Sequence, residues 1–388
     1  MTTCSSLEMR KFVAPEIVFG LGSLELAGQY ARNLGASKVL LVSDPGVEAA
    51  GWTGKVRESL RQEGLAVEVF RAVTPNPRDA EVMQGADLYS RAGCNAIVSV
   101  GGGSPMDCAK GIGIITAAGG HILDYEGVDQ VHEPIPPLVC IPTTAGSAAE
   151  VSQFSIISDQ ARRVKIAIVS KTVVPDVALL DPQTTTTMDP YLTACTGLDA
   201  LTHAIEAYVS TACGPLTDLH ALEAIRLIAR NLIPAIDQPL NLEPRANMLL
   251  ASMYAGLAFS NAILGAVHAM AHSLGGFLDL PHGECNAILL EHVVAYNFPQ
   301  IPERYRDIAL AMGLEAAGLD QPALLARLLE GLRALRRAAG VNRTLAQLGV
   351  QKADFLQLAT KACEDACLVT NPRPAQVEDI ERIYETAL

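Results

Sequence analysis

The pattern of apolar residues changes near residue 181, and this change constrains the fold more than any other feature of the sequence. Before that point, short runs rich in Val, Ile and Leu alternate with segments long enough for helices. Six of the runs are predicted strands, at residues 16–19, 38–43, 66–71, 96–100, 138–141 and 177–180. Strands that alternate with helices at this spacing form βαβ units, so we predict a largely parallel sheet.

After residue 181 nearly every segment follows a helical period, and no run alternates with a period of two. Eight helices are predicted there, at residues 191–210, 215–232, 243–260, 262–276, 286–296, 305–312, 321–339 and 352–365. The stretch QTTTTMDP at 183–190 suits a connection that leads into a helix. We therefore predict an α/β domain over residues 1–185 and an all-α domain over residues 186–388.

Composition excludes several classes of protein. The chain has 388 residues, of which 49% are hydrophobic, and a disordered chain would have a far lower apolar fraction. With 29 basic and 42 acidic residues the net charge is −13, which argues against nucleic acid as a partner because phosphate backbones need clustered Lys and Arg. Nine scattered cysteines without a CxxC pair predict reduced thiols in a cytoplasmic protein.

Residues 246–278 contain no Asp, Glu, Lys or Arg and are long enough to cross a membrane. They nevertheless carry Asn261, His268 and His272, and such polar groups are costly in lipid. We therefore expect buried helices and no membrane partner. The low charge and the broad apolar helices also predict a homodimer or a larger homo-oligomer.

A glycine-rich turn follows the fourth predicted strand in the sequence AIVSVGGGSPMDCAK. Ser104 suits the N-cap of the next helix, Pro105 its first position and Asp107 its third. Glycine permits positive φ and close backbone approach, and a helix N-terminus attracts anions. A pyrophosphate therefore suits this turn, although a tight turn without a ligand explains it too. The three glycines are Gly101, Gly102 and Gly103.

Polar residues also stand beyond two other predicted strands, at the sheet edge where ligands of parallel sheets bind. Thr143, Thr144 and Ser147 follow the strand at 138–141 and offer three hydroxyl groups. Asp44 follows the strand at 38–43 and matches an acidic residue that accepts the ribose hydroxyls of NAD and repels the extra phosphate of NADP. A turn residue or a helix cap explains Asp44 equally well.

Five potential metal ligands occur in the second half of the chain. Asp199 and His203 are four residues apart, as are His268 and His272, so each pair shares a helix face. His282 follows in a turn between Pro281 and Gly283. A carboxylate with imidazoles suits Fe²⁺, Zn²⁺ or Mn²⁺ better than Ca²⁺ or Mg²⁺. Spacing alone does not select four ligands from these five, and hydrogen-bonded core histidines are the alternative.

Four ordered motifs, GGGSPMDCAK, IPTTAGSAAEVS, GLDALTHAIEAYVS and GAVHAMAHSLGGFLDLPHGECNAILL, resemble those of the iron-dependent (group III) alcohol dehydrogenases. The resemblance extends over nearly the whole chain. It implies an N-terminal Rossmann-like dinucleotide-binding domain and an all-helical, metal-binding C-terminal domain, an architecture shared with dehydroquinate synthase. It also implies hydride transfer between NAD(H) and a small primary alcohol or aldehyde, with Fe²⁺ as the metal and Zn²⁺ or Mn²⁺ as alternatives.

The same resemblance implies roles for individual residues. The implied metal ligands are Asp199, His203, His268 and His282. His272 is implied to lie close to the metal and to relay a proton, so that His272, Asp199 and His268 are the catalytic residues. The residues implied around the nucleotide are Asp44, Asn76, Gly101, Gly102, Gly103, Ser104, Asp107, Thr143, Thr144, Ser147 and Lys165.

The chain differs from many members of the family at two places. Ser147, Ala148 and Ala149 stand where many members have Thr-Gly-Ser, and Glu291 replaces a proline before His292. One alternative function is therefore an NAD- and metal-binding regulator or sensor of alcohol oxidation with low turnover, with Glu291 on a partner surface. Another is a zinc polyol dehydrogenase or a synthase on the same scaffold, although such sites usually have fewer histidines.

Overall fold

The computed structural model describes residues 9–388. These residues form two compact units, one over Val13–Met188 and one that combines Asp189–Leu388 with residues 9–12. The first unit holds a parallel sheet and helices, and the second is built from helices. The predicted fold class, an α/β part followed by an all-α part, is confirmed.

The strands of the α/β unit form two sheets. The larger sheet has the order β1-β9-β6-β4-β2-β3 and every neighbouring pair in it is parallel. The smaller sheet has the order β5-β8-β7, with β7 and β8 antiparallel. The strands described in this unit are β1 (Glu16–Phe19), β2 (Lys38–Val42), β3 (Ala66–Phe70), β4 (Ala96–Gly101), β5 (Gly127–Val128), β6 (Leu138–Pro142), β7 (Phe154–Asp159), β8 (Val164–Val169) and β9 (Val177–Leu180).

Helices of the α/β unit pack on the larger sheet and complete two apolar clusters. Ile97 of β4 belongs to one cluster and Val98 to the other, because successive side chains of a strand point to opposite faces. Burial on both faces explains why the inner strands are continuous apolar runs. The helices are α1 (Ala27–Asn33), α2 (Pro45–Ala49), α3 (Trp52–Gln62), α4 (Asp79–Ala92) and α5 (Gly103–Ala118).

All six predicted strands are present and together they make up the larger sheet, with ends that differ from the prediction by at most one residue. The smaller sheet is absent from the prediction because the turn between β7 and β8 contains no glycine, proline or asparagine. The Asp159 carboxylate stabilises that turn instead, by accepting from the backbone N–H groups of Ala161 and Arg162 at 2.9 and 3.0 Å. Arg163 takes the left-handed conformation there, with φ 54°.

The second unit follows the predicted helices closely and adds one at its C-terminus that the prediction lacks. Three of the helices begin with proline. Proline suits the first helical position because an N–H at that position makes no hydrogen bond within the helix, so its absence costs nothing. The helices are α6 (Pro190–Val209), α7 (Pro215–Asp237), α8 (Leu242–Ala262), α9 (Ala266–Leu278), α10 (His282–Asn297), α11 (Pro302–Ala311), α12 (Gln321–Ala338), α13 (Phe355–Glu364) and α14 (Val377–Ala387).

The uncharged stretch at 246–278 spans α8 and α9, which are largely buried within the helical unit. The chain bends between them at Ile263, whose φ of 62° lies in the left-handed region. Within residues 9–388, no single helix has the length and hydropathy needed to cross a membrane. The pair α8 and α9 meets the length and composition criteria only when taken together, across a bend of 98°.

The cysteines correct one expectation. Cys213 is disulfide-bonded, so the prediction that the thiols are all reduced is wrong at this position. Spacing along the chain does not show which cysteines are neighbours in space. Cys4 lies outside the described residues. The free cysteines are Cys94, Cys108, Cys140, Cys195, Cys285, Cys363 and Cys367.

Candidate active site

Three of the predicted metal ligands converge inside the helical unit. Oδ1 of Asp199 lies 3.7 Å from Nε2 of His268 and 3.7 Å from Nε2 of His282. The ligand atoms of all three residues lie within 4.8 Å of one another. Ligands that hold one ion at about 2.1 Å are roughly 3–4 Å apart, so these atoms have the spacing of a ligand set.

His203 lies beside this cluster but outside the group of three. Its buried ring stacks on the ring of His268, with 4.4 Å between centroids, and on Phe259 at 4.3 Å. Burial raises the pKa of Asp199, but the positive charges that His203, His282 and His268 carry when protonated outweigh burial and hold this pKa well below its usual range. The carboxylate is therefore ionised and ready to bind a cation.

Three helices position the cluster. Asp199 and His203 lie on α6, and His268 and His272 lie on α9. His282 is the first residue of α10 rather than part of a free turn, with Pro281 as the N-cap. The helix begins earlier than predicted because Gly283 lets it approach α6 closely: a Cβ at this position would lie 2.6 Å from the carbonyl oxygen of Cys195.

Asn286, one turn after His282 on α10, is a site residue that the sequence analysis missed. Its Nδ2 lies 2.6 Å from Asp199 Oδ1 and 3.1 Å from Nε2 of both His268 and His282, while its buried Oδ1 accepts no hydrogen bond from residues 9–388. One amide NH₂ carries two hydrogens and faces three potential acceptors here. A cation would satisfy this excess of acceptor atoms, so the donor set fits a divalent metal.

Two carboxylates, one buried and one partly buried, hold the histidines of α9 by their Nδ1 atoms. Glu206 accepts from His268 Nδ1 at 2.6 Å, and Asp365 accepts from His272 Nδ1 at 2.9 Å. Glu206 lies seven residues after Asp199, which places both on one face of α6, but this spacing alone predicts no role for it. Asp365 carried no signal, because 93 residues separate it from His272.

His272 is adjacent to the cluster without belonging to it. Its ring stacks on that of His282, with 5.3 Å between centroids and 15° between the planes. Burial raises the pKa of Asp365, but the charge and hydrogen bond of His272 outweigh burial and lower this pKa to about 2. Asp365 is therefore an ionised acceptor for His272 near neutral pH. Ligand-type atoms of His272, Asp365 and Cys367 form a second close group.

The glycine turn lies between β4 and α5 in the α/β unit, and the helix begins two residues earlier than predicted. Gly102 is the N-cap, without a side-chain hydrogen bond, so Ser104 is the second helical residue and the prediction of Ser104 as N-cap is wrong. Because glycine has no side chain, the N-cap itself does not occupy the N–H groups of the first turn, and N–H groups at a helix N-terminus can bind a phosphate.

The predicted hydroxyl residues surround this turn. A Cβ at Gly102 would lie 3.2 Å from Thr144 Cγ2, and a Cβ at Gly103 would lie 3.0 Å from the Ser147 side chain. Thr143 donates its backbone N–H to the Gly101 carbonyl at 2.8 Å. These contacts follow from the pairing of β4 with β6, which aligns the carboxyl ends of the two strands.

The remaining predicted nucleotide residues occupy different places. Asp44 is the N-cap of α2 and accepts from the N–H of Val47 at 2.9 Å, so the helix-cap role is real. Asn76 is in the left-handed region, with φ 57°, and its carbonyl accepts from Ser158 Oγ at 3.4 Å. Ser158 pairs with Lys165 across the β7–β8 hairpin. The hairpin thus links Asn76 to Lys165.

Asp107 and Lys110 lie on α5 behind the glycine turn. Loss of hydration raises the pKa of the half-buried Asp107 to about 7, and the opposing charges of Lys110 and Lys165 are not enough to cancel this effect. Lys110 is fully buried and donates to the carbonyl groups of Ser152 and Phe154 at 2.9 and 2.7 Å. Lys110 therefore ties α5 to the segment that contains β7.

The two departures from the family pattern lie in different parts of the structure. The buried carboxylate of Glu291 on α10 pairs with Arg333 and Arg336 of α12, the latter at 3.1 Å. Its placement on a partner surface is therefore wrong, because two arginines of the same unit neutralise it internally. Ala148, where many members have glycine, has φ 49°, a conformation that glycine adopts without strain.

Comparisons with known proteins agree with this geometry. The family model described as iron-containing alcohol dehydrogenase matches residues 14–182, and that of the Fe-containing alcohol dehydrogenase family, C-terminal, matches residues 193–388. The 1,3-propanediol dehydrogenase of Klebsiella pneumoniae is 42% identical over 98% of this chain and 100% of its own.

Two further comparisons cover nearly the whole chain. The NAD-dependent methanol dehydrogenase of Bacillus methanolicus is 39% identical over 97% of this chain and 99% of its own. A crystal structure of 1,3-propanediol oxidoreductase superimposes with a TM-score of 0.95 at 41% identity, covering 98% of this chain and 100% of the other. The alternative of a low-turnover sensor has no support among these comparisons.

Proposed function

This chain belongs to the iron-containing alcohol dehydrogenase family, and from that premise we propose that it uses Fe²⁺ and NAD(H) to interconvert small primary alcohols and their aldehydes. It is an alcohol and aldehyde oxidoreductase; the metal, the nucleotide and the residue roles given below are the proposed details. The observation that carries them is the convergence of Asp199, His268 and His282 in one buried cluster.

The proposed metal ligands are Asp199, His203, His268 and His282. Asp199, His268 and His282 already lie at ligand spacing, and His203 stacks directly on one of them. Zn²⁺ and Mn²⁺ suit the same mixture of carboxylate and imidazole. When bound, the cation supplies Lewis acidity to the substrate oxygen, and the nicotinamide ring accepts or donates the hydride.

The proposed nucleotide site is the glycine turn with its surrounding hydroxyl groups. The N–H groups at the start of α5 would bind the pyrophosphate, and Thr144 and Ser147 lie against the same turn. We assign Asp44, Asn76, Ser104, Asp107, Thr143 and Lys165 to the surroundings of the nucleotide as well. Residues 1–185 would then be the dinucleotide-binding domain and residues 186–388 the metal-binding domain.

His272 is the proposed proton carrier. Since its Nδ1 donates to Asp365, the lone pair of the neutral ring is on Nε2. This atom can accept the proton that an alcohol releases on oxidation and return it when an aldehyde is reduced. We also propose that the chain assembles as a homodimer or a larger homo-oligomer, because Leu216 and Leu219, three residues apart on one face of α7, are both exposed apolar side chains.

The proposed function is tested with protein purified without air and reconstituted in parallel with Fe²⁺, Zn²⁺ or Mn²⁺. Consumption of NADH is followed by its absorbance with a panel of short aldehydes. We expect turnover that depends on added metal and is highest with Fe²⁺. Metal and NADH binding without turnover of any aldehyde would overturn the enzymatic proposal in favour of the sensor.

A second expectation concerns the choice of nucleotide. Asp44→Asn keeps a good N-cap for α2 but removes the negative charge. We expect the ratio of kcat/KM for NADH over NADPH to fall about tenfold, because repulsion of the extra phosphate is worth about 1–2 kcal/mol near a partly exposed site. Asp320→Asn is the matched control, since Asp320 caps α12 in the same way at 2.9 Å. An unchanged ratio would remove Asp44 from nucleotide selection.

A further inference from the structure

Glu206 is a buried acidic residue on α6 whose two carboxylate oxygens are both engaged at the start of α9. Oε1 accepts from the backbone N–H of Val267 at 2.7 Å. Oε2 accepts from Nδ1 of His268 at 2.6 Å, and from the backbone N–H of the same residue at 3.4 Å. The side chain is 3% exposed, so water does not compete for these bonds.

The bond to Nδ1 selects one tautomer of His268. An ionised carboxylate only accepts hydrogen bonds, so Nδ1 must carry the hydrogen. The lone pair of the neutral ring is then on Nε2, the atom that lies 3.7 Å from Asp199 Oδ1 in the group of three ligands. Glu206 thus leaves the lone pair of His268 on the atom that faces the proposed metal.

Only a carboxylate meets both demands at this position. Glutamine would offer one acceptor oxygen and one NH₂ group, whereas the backbone N–H of Val267 and the Nδ1–H of His268 each need an acceptor. If the amide oxygen faced Val267, the NH₂ would face His268 Nδ1 and favour the opposite tautomer. If the oxygen faced Nδ1, the NH₂ would oppose the N–H of Val267. Either choice breaks one of the two bonds.

The start of α9 is shaped to admit this carboxylate. Gly265 is the N-cap, and a Cβ on it would lie 2.9 Å from Glu206 Oε1 and 2.9 Å from Asn371 Oδ1. The glycine therefore leaves room for the carboxylate to reach the helix N-terminus, where a negative charge is also favoured by the helix dipole. The same residue thereby anchors α9 to α6 and orients its first histidine.

We propose that Glu206 is a positioning residue of the metal centre, which holds His268 in the tautomer and orientation required for metal binding. This inference rests on the proposed function, since it assumes that His268 is a ligand. Carboxylates that hold the second nitrogen of a ligating imidazole raise its basicity and fix its ring, and their loss weakens metal binding about 10- to 100-fold.

The test measures metal affinity rather than activity. Wild-type and Glu206→Gln chains, both stripped of metal, are titrated with Co²⁺ in competition with a chelator of known affinity, and the visible spectrum of bound Co²⁺ reports the ligand geometry. We expect affinity about 10- to 100-fold weaker in Glu206→Gln. Glu291→Gln is the matched control: Glu291 is also buried, but its partners are arginines, so we expect unchanged affinity.

The outcomes separate this inference from the proposed function. A wild-type chain that binds no Co²⁺ would overturn the proposed function, and the inference with it. Equal affinity in wild type and Glu206→Gln would overturn the inference alone. If Glu206→Gln does not fold, Gly265→Ala displaces the same carboxylate without removing it, and Asn371→Ala is its control because the new Cβ also crowds Asn371 Oδ1. Weaker Co²⁺ binding by Gly265→Ala than by Asn371→Ala supports the inference, and equal binding by the two variants overturns it.

Discussion

Replacement of Asp199 by alanine is expected to abolish bound metal and turnover together while the fold survives. Asp199 supplies the carboxylate of the group of three ligands, and its oxygen is the atom that the other two ligands face. Loss of Lewis-acid polarisation removes several kcal/mol of transition-state stabilisation, so we expect turnover to fall about a thousandfold or more. Metal content, NADH-dependent turnover and thermal unfolding are measured on the same sample.

His268→Ala should have the same effect, because it removes a second member of the same ligand set. His132→Ala is the control, since His132 is an exposed histidine of the α/β unit outside the cluster. Circular dichroism should show unchanged helix content in all three variants. Full turnover by a metal-free Asp199→Ala or His268→Ala chain would sink the metal-dependent mechanism.

His272→Ala is expected to show a different signature, in which kcat falls about 100-fold while the metal stays bound. The magnitude is that of a single general acid–base group. The metal stays because His272 lies beside the ligands, with its ring stacked on His282, and is outside the group of three. The comparison of metal content with kcat therefore distinguishes a proton carrier from a ligand.

Asp365→Asn provides a graded test of the same role. The amide oxygen can still accept from His272 Nδ1, but the negative charge is lost and the NH₂ group then opposes the backbone N–H of Cys367, which donates to the other oxygen of Asp365 at 2.8 Å. A partial loss of kcat, about tenfold, is therefore expected. Wild-type kcat in His272→Ala would show that no proton passes through this histidine. Loss of metal from His272→Ala would instead place it among the ligands.

The sequence predicts most of the fold because each half of the chain has its own apolar pattern. The first half has short apolar runs typical of buried strands, and the second half has the apolar period of helices. Inner strands such as Ala96–Gly101 are buried on both faces, so they are continuous apolar runs in the sequence. Such a run can be recognised without knowing which strands or helices pack against it. The β7–β8 hairpin was not predicted because its turn contains no glycine, the usual sequence signal of a turn. The carboxylate of Asp159 stabilises the turn instead. The extent of α10 was not predicted because packing against α6, not propensity, decides where that helix begins.

The candidate metal ligands are visible in the sequence because helical geometry is local: a spacing of four places Asp199 with His203, and His268 with His272, on one face of a helix. The same rule does not show which of them meet. Only the packing of α6, α9 and α10 brings Asp199, His268 and His282 together and leaves His203 stacked at their side.

Sequence alone therefore determined the six strands of the larger sheet and most of the helices along the chain, together with the glycine turn and the supply of ligand-type side chains, since each depends on residues a few positions apart. Tertiary structure alone decided which side chains orient those ligands. Each of these side chains contacts a residue on another element: Glu206 contacts His268, Asp365 contacts His272, and Asn286 contacts Asp199. Hydrogen bonds between distant segments depend on how the helices pack, and no local pattern encodes that arrangement.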